Sequence, residues 1–264
     1  MRDGKMFEIG VKLWSINIGG CMQEARRMCM EGVCDYVELY VVPGTLGTLS
    51  QWRELGVPMI IHAPHFKHGF NLALANRSEC NKLMYEEVQR FADGVEARYI
   101  IFHGGTYGNI SETAHQLALL QEPRALIENK PAITYNEGCI LECRGSTVEE
   151  IRQVLASVGC GFCLDIPHAL CAANYHQTNR EETLRDFCSL APTMFHLADM
   201  MDISQLVDDH TPLGQGNLDM ARLISIALPR GSMVTIETNR RRADDLSEFR
   251  AEMECLHRAV LSLC

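Results

Sequence analysis

Eight short apolar runs, separated by stretches with helical apolar spacing, constrain this chain more than any other feature. The runs fall at 7–14, 35–41, 58–62, 98–103, 124–129, 161–165, 193–199 and 232–237. Strands buried on both faces read as such near-continuous apolar runs. Between and after them, apolar residues at three- and four-residue spacing predict helices at 21–33, 47–54, 78–95, from Ser111 onward, 146–157, 180–190, 218–228 and 244–262. Ser78 is placed to cap the third of these, and Ser146-Thr147-Val148-Glu149 offers a capping box to the fifth. Eight βα units in strict alternation predict a (β/α)8 TIM barrel as a single domain over 1–264. A doubly wound open sheet is the alternative.

The runs share a second property. PMIIH ends on His62, YIIFH on His103, ALIE on Glu128, CLD on Asp165, and MVTIE on Glu237, while MFHLAD carries His196 inside it. A polar residue at the end of one buried strand is ordinarily a satisfied cap. Six of them, all metal-ligand or acid–base types, point to a shared site. In a barrel every strand's C-terminal end opens on one face, so His62 and Glu237 become neighbours despite their separation in sequence. An open sheet would spread the same residues along a crevice.

Bulk properties set the class of partner. With 24 Lys and Arg against 34 Asp and Glu, the formal charge is −10, which disfavours broad non-specific attachment to nucleic acid or anionic membrane. MRDGKMFEIG lacks the apolar core of a signal peptide, and no run reaches the ~20 apolar residues of a membrane span. A cytoplasmic protein with no membrane partner is expected. The 12 cysteines sit largely in apolar contexts of a chain large enough to bury its own core. They are expected to be free thiols. Cys160/Cys163 has CxxC spacing but no second ligand pair for a structural zinc.

The candidate ligands are His62, His103, Glu128, Asp165, His168, His196, Asp208, His210 and Glu237. Imidazole and carboxylate without thiolate suit catalytic zinc, manganese or iron. Nine groups exceed the four to six that one ion takes, so two or three divalent ions are expected, zinc first and manganese second. Lys130, after the fifth strand, and the Arg240-Arg241-Arg242 run, after the eighth, are candidate phosphate-binding cations.

The wording and order of these pieces resemble the endonuclease IV family, within the xylose isomerase-like TIM-barrel superfamily. The matching pieces are IHAP at His62, FHGG at His103, IEN at Glu128, CLDIPHA at Asp165 and His168, FHLAD at His196, DDHTPLGQG at Asp208 and His210, and IET at Glu237. They span 58–238, about two thirds of the chain. The resemblance implies a first ion on His62, His103 and Glu128. It implies a second on Glu128, Asp165, His196 and Glu237, and a third on His168, Asp208 and His210. The chain departs from the family in its short 42–57 connection. His65 stands where the family has an intercalating aromatic, and Asn129-Lys130-Pro131 replaces a run of small residues. These departures point away from abasic DNA as substrate.

Two functions follow from such a site. Metal-assisted phosphoester hydrolysis, with Glu128 and Glu237 central to catalysis and His65, Lys130 and Arg240 toward the substrate, accounts for every candidate. Its substrate would be a small phosphorylated molecule, or nucleic acid with a strand break or lesion. Sugar or sugar-phosphate isomerisation or epimerisation, with Glu128 and Glu237 exchanging a proton with substrate carbon, needs only Glu128, Asp165, His196 and Glu237. It gives no role to His62, His103, Asp208 or His210.

Overall fold

The computed structural model describes residues 5–240 and 245–263. Its strands and helices run in order β1 Glu8–Trp14, α1 Gly20–Glu31, β2 Tyr36–Tyr40, α2 Leu49–Glu54, β3 Met59–His62, α3 Ser78–Gly94, β4 Ile100–His103, α4 Ile110–Leu120, β5 Ala125–Glu128, β6 Ile133–Asn136, β7 Cys139–Glu142, α5 Val148–Val158, β8 Gly161–Asp165, α6 Ile166–His176, α7 Arg180–Cys188, β9 Met194–Leu197, α8 Met220–Ala227, β10 Met233–Ile236 and α9 Ser247–Leu261. Eight strands close a parallel barrel in the order β1-β10-β9-β8-β5-β4-β3-β2. The alternation read from the sequence is therefore the architecture found.

Period-two alternation along the strands divides each into an outward and an inward set. The outward side chains pack under the helices as the main core, with Phe102, Phe162, Leu39, Ile61 and Val234 among its members. The inward side chains Tyr36, Ile60, Ile101, Leu126, Cys163, Met194 and Met233 form a second buried cluster inside the barrel. Two residues further along six of those strands stand Glu38, His62, His103, Glu128, Asp165 and His196, and Glu237 follows Met233 by four. An apolar plug thus fills the barrel floor, and the titratable groups rest on it as the next layer. Gly10 is where the plug is tightest, since a Cβ there would enter the Tyr36 ring.

Several local expectations are corrected. Ser78 does not cap α3; a 3-10 turn at Ala75–Arg77 leads into the helix, with no side-chain cap. The cap of α5 is Thr147, which accepts the Glu150 N–H, one residue later than the expected box. Glu150 in turn accepts the N–H groups of Gly145 and Ser146. The connection after β5 is a β6–β7 hairpin instead of an open loop. A helix missed in the sequence, α6, starts directly after β8, with Asp165 as its cap and Pro167 in its first turn. Arg241 and Arg242 lie outside the described residues. Among the described residues no helix is long and apolar enough to cross a membrane, and the described cysteines are unbridged.

Candidate metal centre

All nine candidate ligands meet at the C-terminal mouth of the barrel. Ligand atoms of His62, His103 and Glu128 lie within 4.8 Å of one another, as do those of Glu128, His196 and Glu237, of Glu128, Asp165 and His168, and of His168, Asp208 and His210. Glu128 joins three of these groups. Its Oε2 lies 3.1 Å from His62 Nε2 and 3.2 Å from His103 Nε2. Its Oε1 lies 3.1 Å from His168 Nδ1 and 3.2 Å from Lys130 Nζ.

The histidine orientations carry the chemistry. His62 gives its Nδ1–H to the Ala63 carbonyl at 2.8 Å, which turns Nε2 toward the Glu128 carboxylate at 3.1 Å. His168 gives its Nδ1–H to the Asn129 carbonyl at 3.0 Å, leaving Nε2 to face Asp208 at 3.7 Å. His196 gives its Nε2–H to Glu38 at 2.9 Å, and its Nδ1 stands 2.7 Å from Glu237 Oε2 without hydrogen-bonding geometry. In each case one ring nitrogen is committed and the other confronts a carboxylate, an arrangement satisfied by a proton or by a cation between them. His103 Nδ1, His196 Nδ1, Asp208 Oδ2, His210 Nδ1 and Glu237 Oε2 are buried without a hydrogen-bond partner among the described residues. Buried polar groups are rarely left so. The donor set and these orphaned atoms fit divalent ions of the zinc or manganese type.

Electrostatics agree. Glu128 is fully buried, which opposes its charge, yet the Lys130 ammonium and hydrogen bonds from His103 and His168 hold its pKa well below the carboxylate range. Glu237 is held down likewise by Lys12 and His196 against its burial. Burial lowers His103 to about 3, so it is neutral and ready to ligate. Burial disfavours a charged His196, but Cys163, Glu38 and Glu237 raise its pKa well above normal. A proton on Nδ1 is thus what competes with an ion for that position.

The loop bearing Asp208 and His210 is built around Asp199. Its carboxylate accepts the N–H groups of Met200, Gly214, Gly216 and Leu218, and its backbone bridges to Thr211. Asp208 accepts the His210 N–H at 2.9 Å, and the Asn239 N–H donates to the His210 carbonyl. Asn129 and Asp165 exchange two hydrogen bonds across β5 and β8, at 2.9 and 2.7 Å, and so fix the neighbouring ligands.

Of the residues expected near the substrate, Lys130 and His65 are at the centre. The Lys130 ammonium lies between Glu128 and His168. The His65 ring stacks parallel on His103 at 5.5 Å, and burial lowers its pKa so that it is neutral. Arg240 is not gathered into the cluster. It donates to the Lys12 carbonyl, and the charges bearing on it are Glu252 and Glu248 of α9 and Cys21 of α1. His115, His176 and His257 are exposed.

Two buried charges in contact with the candidate ligands escaped the sequence reading. Lys12 and Glu38 are buried directly across the β1–β2 pairing, with Nζ and Oε1 2.6 Å apart. Lys12 also reaches Glu237 Oε2 at 3.1 Å. Their signal was present: each is a charge in the middle of an apolar strand, GVKLW and YVELY.

Comparison with known proteins places this geometry among related barrels. The chain is 26% identical over 203 residues to the protein named Probable endonuclease 4 of Mycobacterium tuberculosis (strain CDC 1551 / Oshkosh), covering 74% of this chain and 78% of that one. Among solved structures, a D-tagatose 3-epimerase-like protein superposes with a TM-score of 0.71 at 16% identity, covering 97% of this chain and 98% of that one. Endonuclease IV from Thermus thermophilus superposes at 0.66 with 18% identity, covering 97% and 99%. At such identities the superpositions speak for the fold alone. The family model described as xylose isomerase-like TIM barrel matches residues 48–259, and the chain belongs to that family.

Proposed function

We propose that this protein is a metal-dependent phosphoester hydrolase with an endonuclease IV-like multinuclear centre. One observation carries the reading: His62, His103, Asp208 and His210 converge on the same mouth as Glu128, Asp165, His196 and Glu237. An isomerase needs only the last four. Divalent ions held there would lower the pKa of a water and take up charge on the attacking and leaving oxygens. The chain's own groups do the rest. Glu128 spans neighbouring groups of ligands, the Lys130 ammonium faces an incoming phosphoryl oxygen, and neutral His65 lines the approach beside His103. A small phosphorylated substrate suits the acidic chain and its short 42–57 connection better than intact duplex does.

The test is a panel of phosphomonoesters, phosphodiesters and an abasic-site duplex. Asp208→Asn combined with His210→Ala should abolish turnover while the ion on Glu128, His196 and Glu237 stays bound. A loss of about a thousandfold corresponds to about 4 kcal/mol of transition-state stabilisation. A wild-type protein inert on the whole panel would overturn the proposal.

A second reading, isomerisation or epimerisation of a sugar, is favoured by the Glu128 and Glu237 carboxylates flanking His196 Nδ1 at 3.6 and 2.7 Å. They are placed to exchange a proton with a carbon held between them. Ketose turnover that survives the double substitution would select this reading.

A further inference from the structure

Lys130, expected beside the substrate, lies inside the ligand cluster itself. The Lys130 backbone is fixed by its N–H donating to the Gly145 carbonyl at 3.0 Å. Its Nζ lies 3.2 Å from Glu128 Oε1 and 3.4 Å from His168 Nε2. That nitrogen is the lone pair of His168, because Nδ1 is committed among Asn129 O, Glu128 Oε1 and Asp165 Oδ2. It is also one of the three atoms, with Asp208 and His210, that would hold an ion at the outer position. The remaining two, Asp208 Oδ2 and His210 Nδ1, are buried and face each other at 2.9 Å, with no third group of the described residues between them. So two of the three ligand atoms are paired with one another, and the third is engaged by an ammonium.

We propose that Lys130 is a resident cation of the outer position: anchored on Glu128, its ammonium engages the His168 ligand atom that a third divalent ion needs, so the chain binds two ions tightly and admits a third only when Lys130 swings aside. Both cations want the same lone pair, and two positive charges at that spacing repel in a poorly solvated site. The side chain is flexible and 13% exposed, so it has somewhere to go. An anionic oxygen of a phosphorylated substrate is the natural new partner for the released ammonium. Substrate arrival would then open the third position, a consequence that rests on the hydrolase reading, whereas the ion count does not.

Metal-stripped protein equilibrated with buffered free zinc, without substrate, tests this by elemental analysis and titration calorimetry. Wild type should level off at two ions per chain over a range of free zinc where Lys130→Met and Lys130→Gln level off at three. The third ion should bind at least about tenfold more tightly in both variants, within the range by which neighbouring groups tune metal sites. Equal counts and affinities in wild type and variants would overturn the proposal. Fewer ions in the variants would do so too, since Lys130 would then support the centre instead of competing in it. Turnover of phosphoesters is measured separately, so failure of the hydrolase reading leaves the ion count standing on its own.

Discussion

Glu38 on β2 accepts the Nε2–H of His196 on β9 at 2.9 Å, across the barrel interior. The bond selects which nitrogen of His196 faces the centre. With Nε2 spent on Glu38, Nδ1 is left toward Glu237. Carboxylate–histidine pairs of this kind orient ligands and raise their basicity. Glu38 is itself kept ionised, its pKa about 2 despite complete burial, by His196 and by Lys12.

Removing that carboxylate should loosen the ion held by His196. Glu38→Leu is expected to weaken zinc at Glu128, His196 and Glu237 by about 10–100-fold. Glu38→Gln, which keeps an acceptor but not the charge, should lose less. Zinc affinities by competition with a chelator, together with ¹⁵N shifts of the His196 ring in zinc-loaded protein, separate the cases. If the Leu variant kept both the tautomer and the affinity, Glu38 would have no orienting role.

Glu128 should be the least replaceable ligand. Its two oxygens face different groups, Oε2 toward His62 and His103, and Oε1 toward His168 and Lys130. Glu128→Gln therefore strips charge from more than one position and should lose more metal than His168→Ala, which touches the outer one. Elemental analysis after identical dialysis decides it, and equal losses would mean that Glu128 serves a single ion.

Most of this was legible in the sequence because the barrel turns period into place. Ile60 and His62, Ile101 and His103, Leu126 and Glu128, Cys163 and Asp165, Met194 and His196 are each two residues apart. Reading each run as an apolar stretch with a polar end found the second member of every pair. Lys12 and Glu38 were passed over because they sit in strand interiors, where a charge reads as an outward side chain until the partner strand is known. Register alone sets them opposite one another. The β6–β7 hairpin and α6 were missed for a different reason. The hairpin is short and half exposed, and α6 begins with no loop after β8, so neither leaves a boundary in the pattern. Arg240 follows a strand at the proper end, yet the chain beyond β10 carries its side chain toward α9.

Gly10 should tolerate nothing larger. Its Cβ would enter the Tyr36 ring, which is buried in the barrel plug and hydrogen-bonded to Thr235 at 2.9 Å. Overpacking of this kind costs about 1–3 kcal/mol, and for a chain of this size each kcal/mol lowers Tm by roughly 2–4 °C. Gly10→Ala should therefore melt several degrees lower, and adding Tyr36→Phe should not relieve it, because the ring remains. Thermal scans of the metal-free variants check this. An unchanged Tm in Gly10→Ala would show that the plug yields more easily than its packing implies.

Metal binding should be linked to protons unequally across the centre. Burial holds His103 at about 3, so an ion on His62, His103 and Glu128 displaces no proton from it at pH 7. His210 is different: burial opposes its charge, but Asp208 at 2.9 Å raises its pKa to about 9. In the metal-free protein His210 is thus protonated at pH 7, while an unfolded histidine titrates near 6.5. The Asp208–His210 pair stabilises the metal-free fold fully below about pH 6.5, and that contribution fades as pH rises through about 9. An ion at the outer position needs the neutral ring, so its affinity should climb with pH by up to tenfold per unit and flatten above about 9. Calorimetric zinc titrations in buffers of different ionisation enthalpy count the protons released. At pH 7 in Lys130→Gln, whose outer position is free to fill, the outer ion should release one proton more than the His103 ion, and adding His210→Asn should erase the difference. Equal release at both positions, or an outer affinity that does not change between pH 7 and 9, would show that Asp208 does not hold a proton on His210.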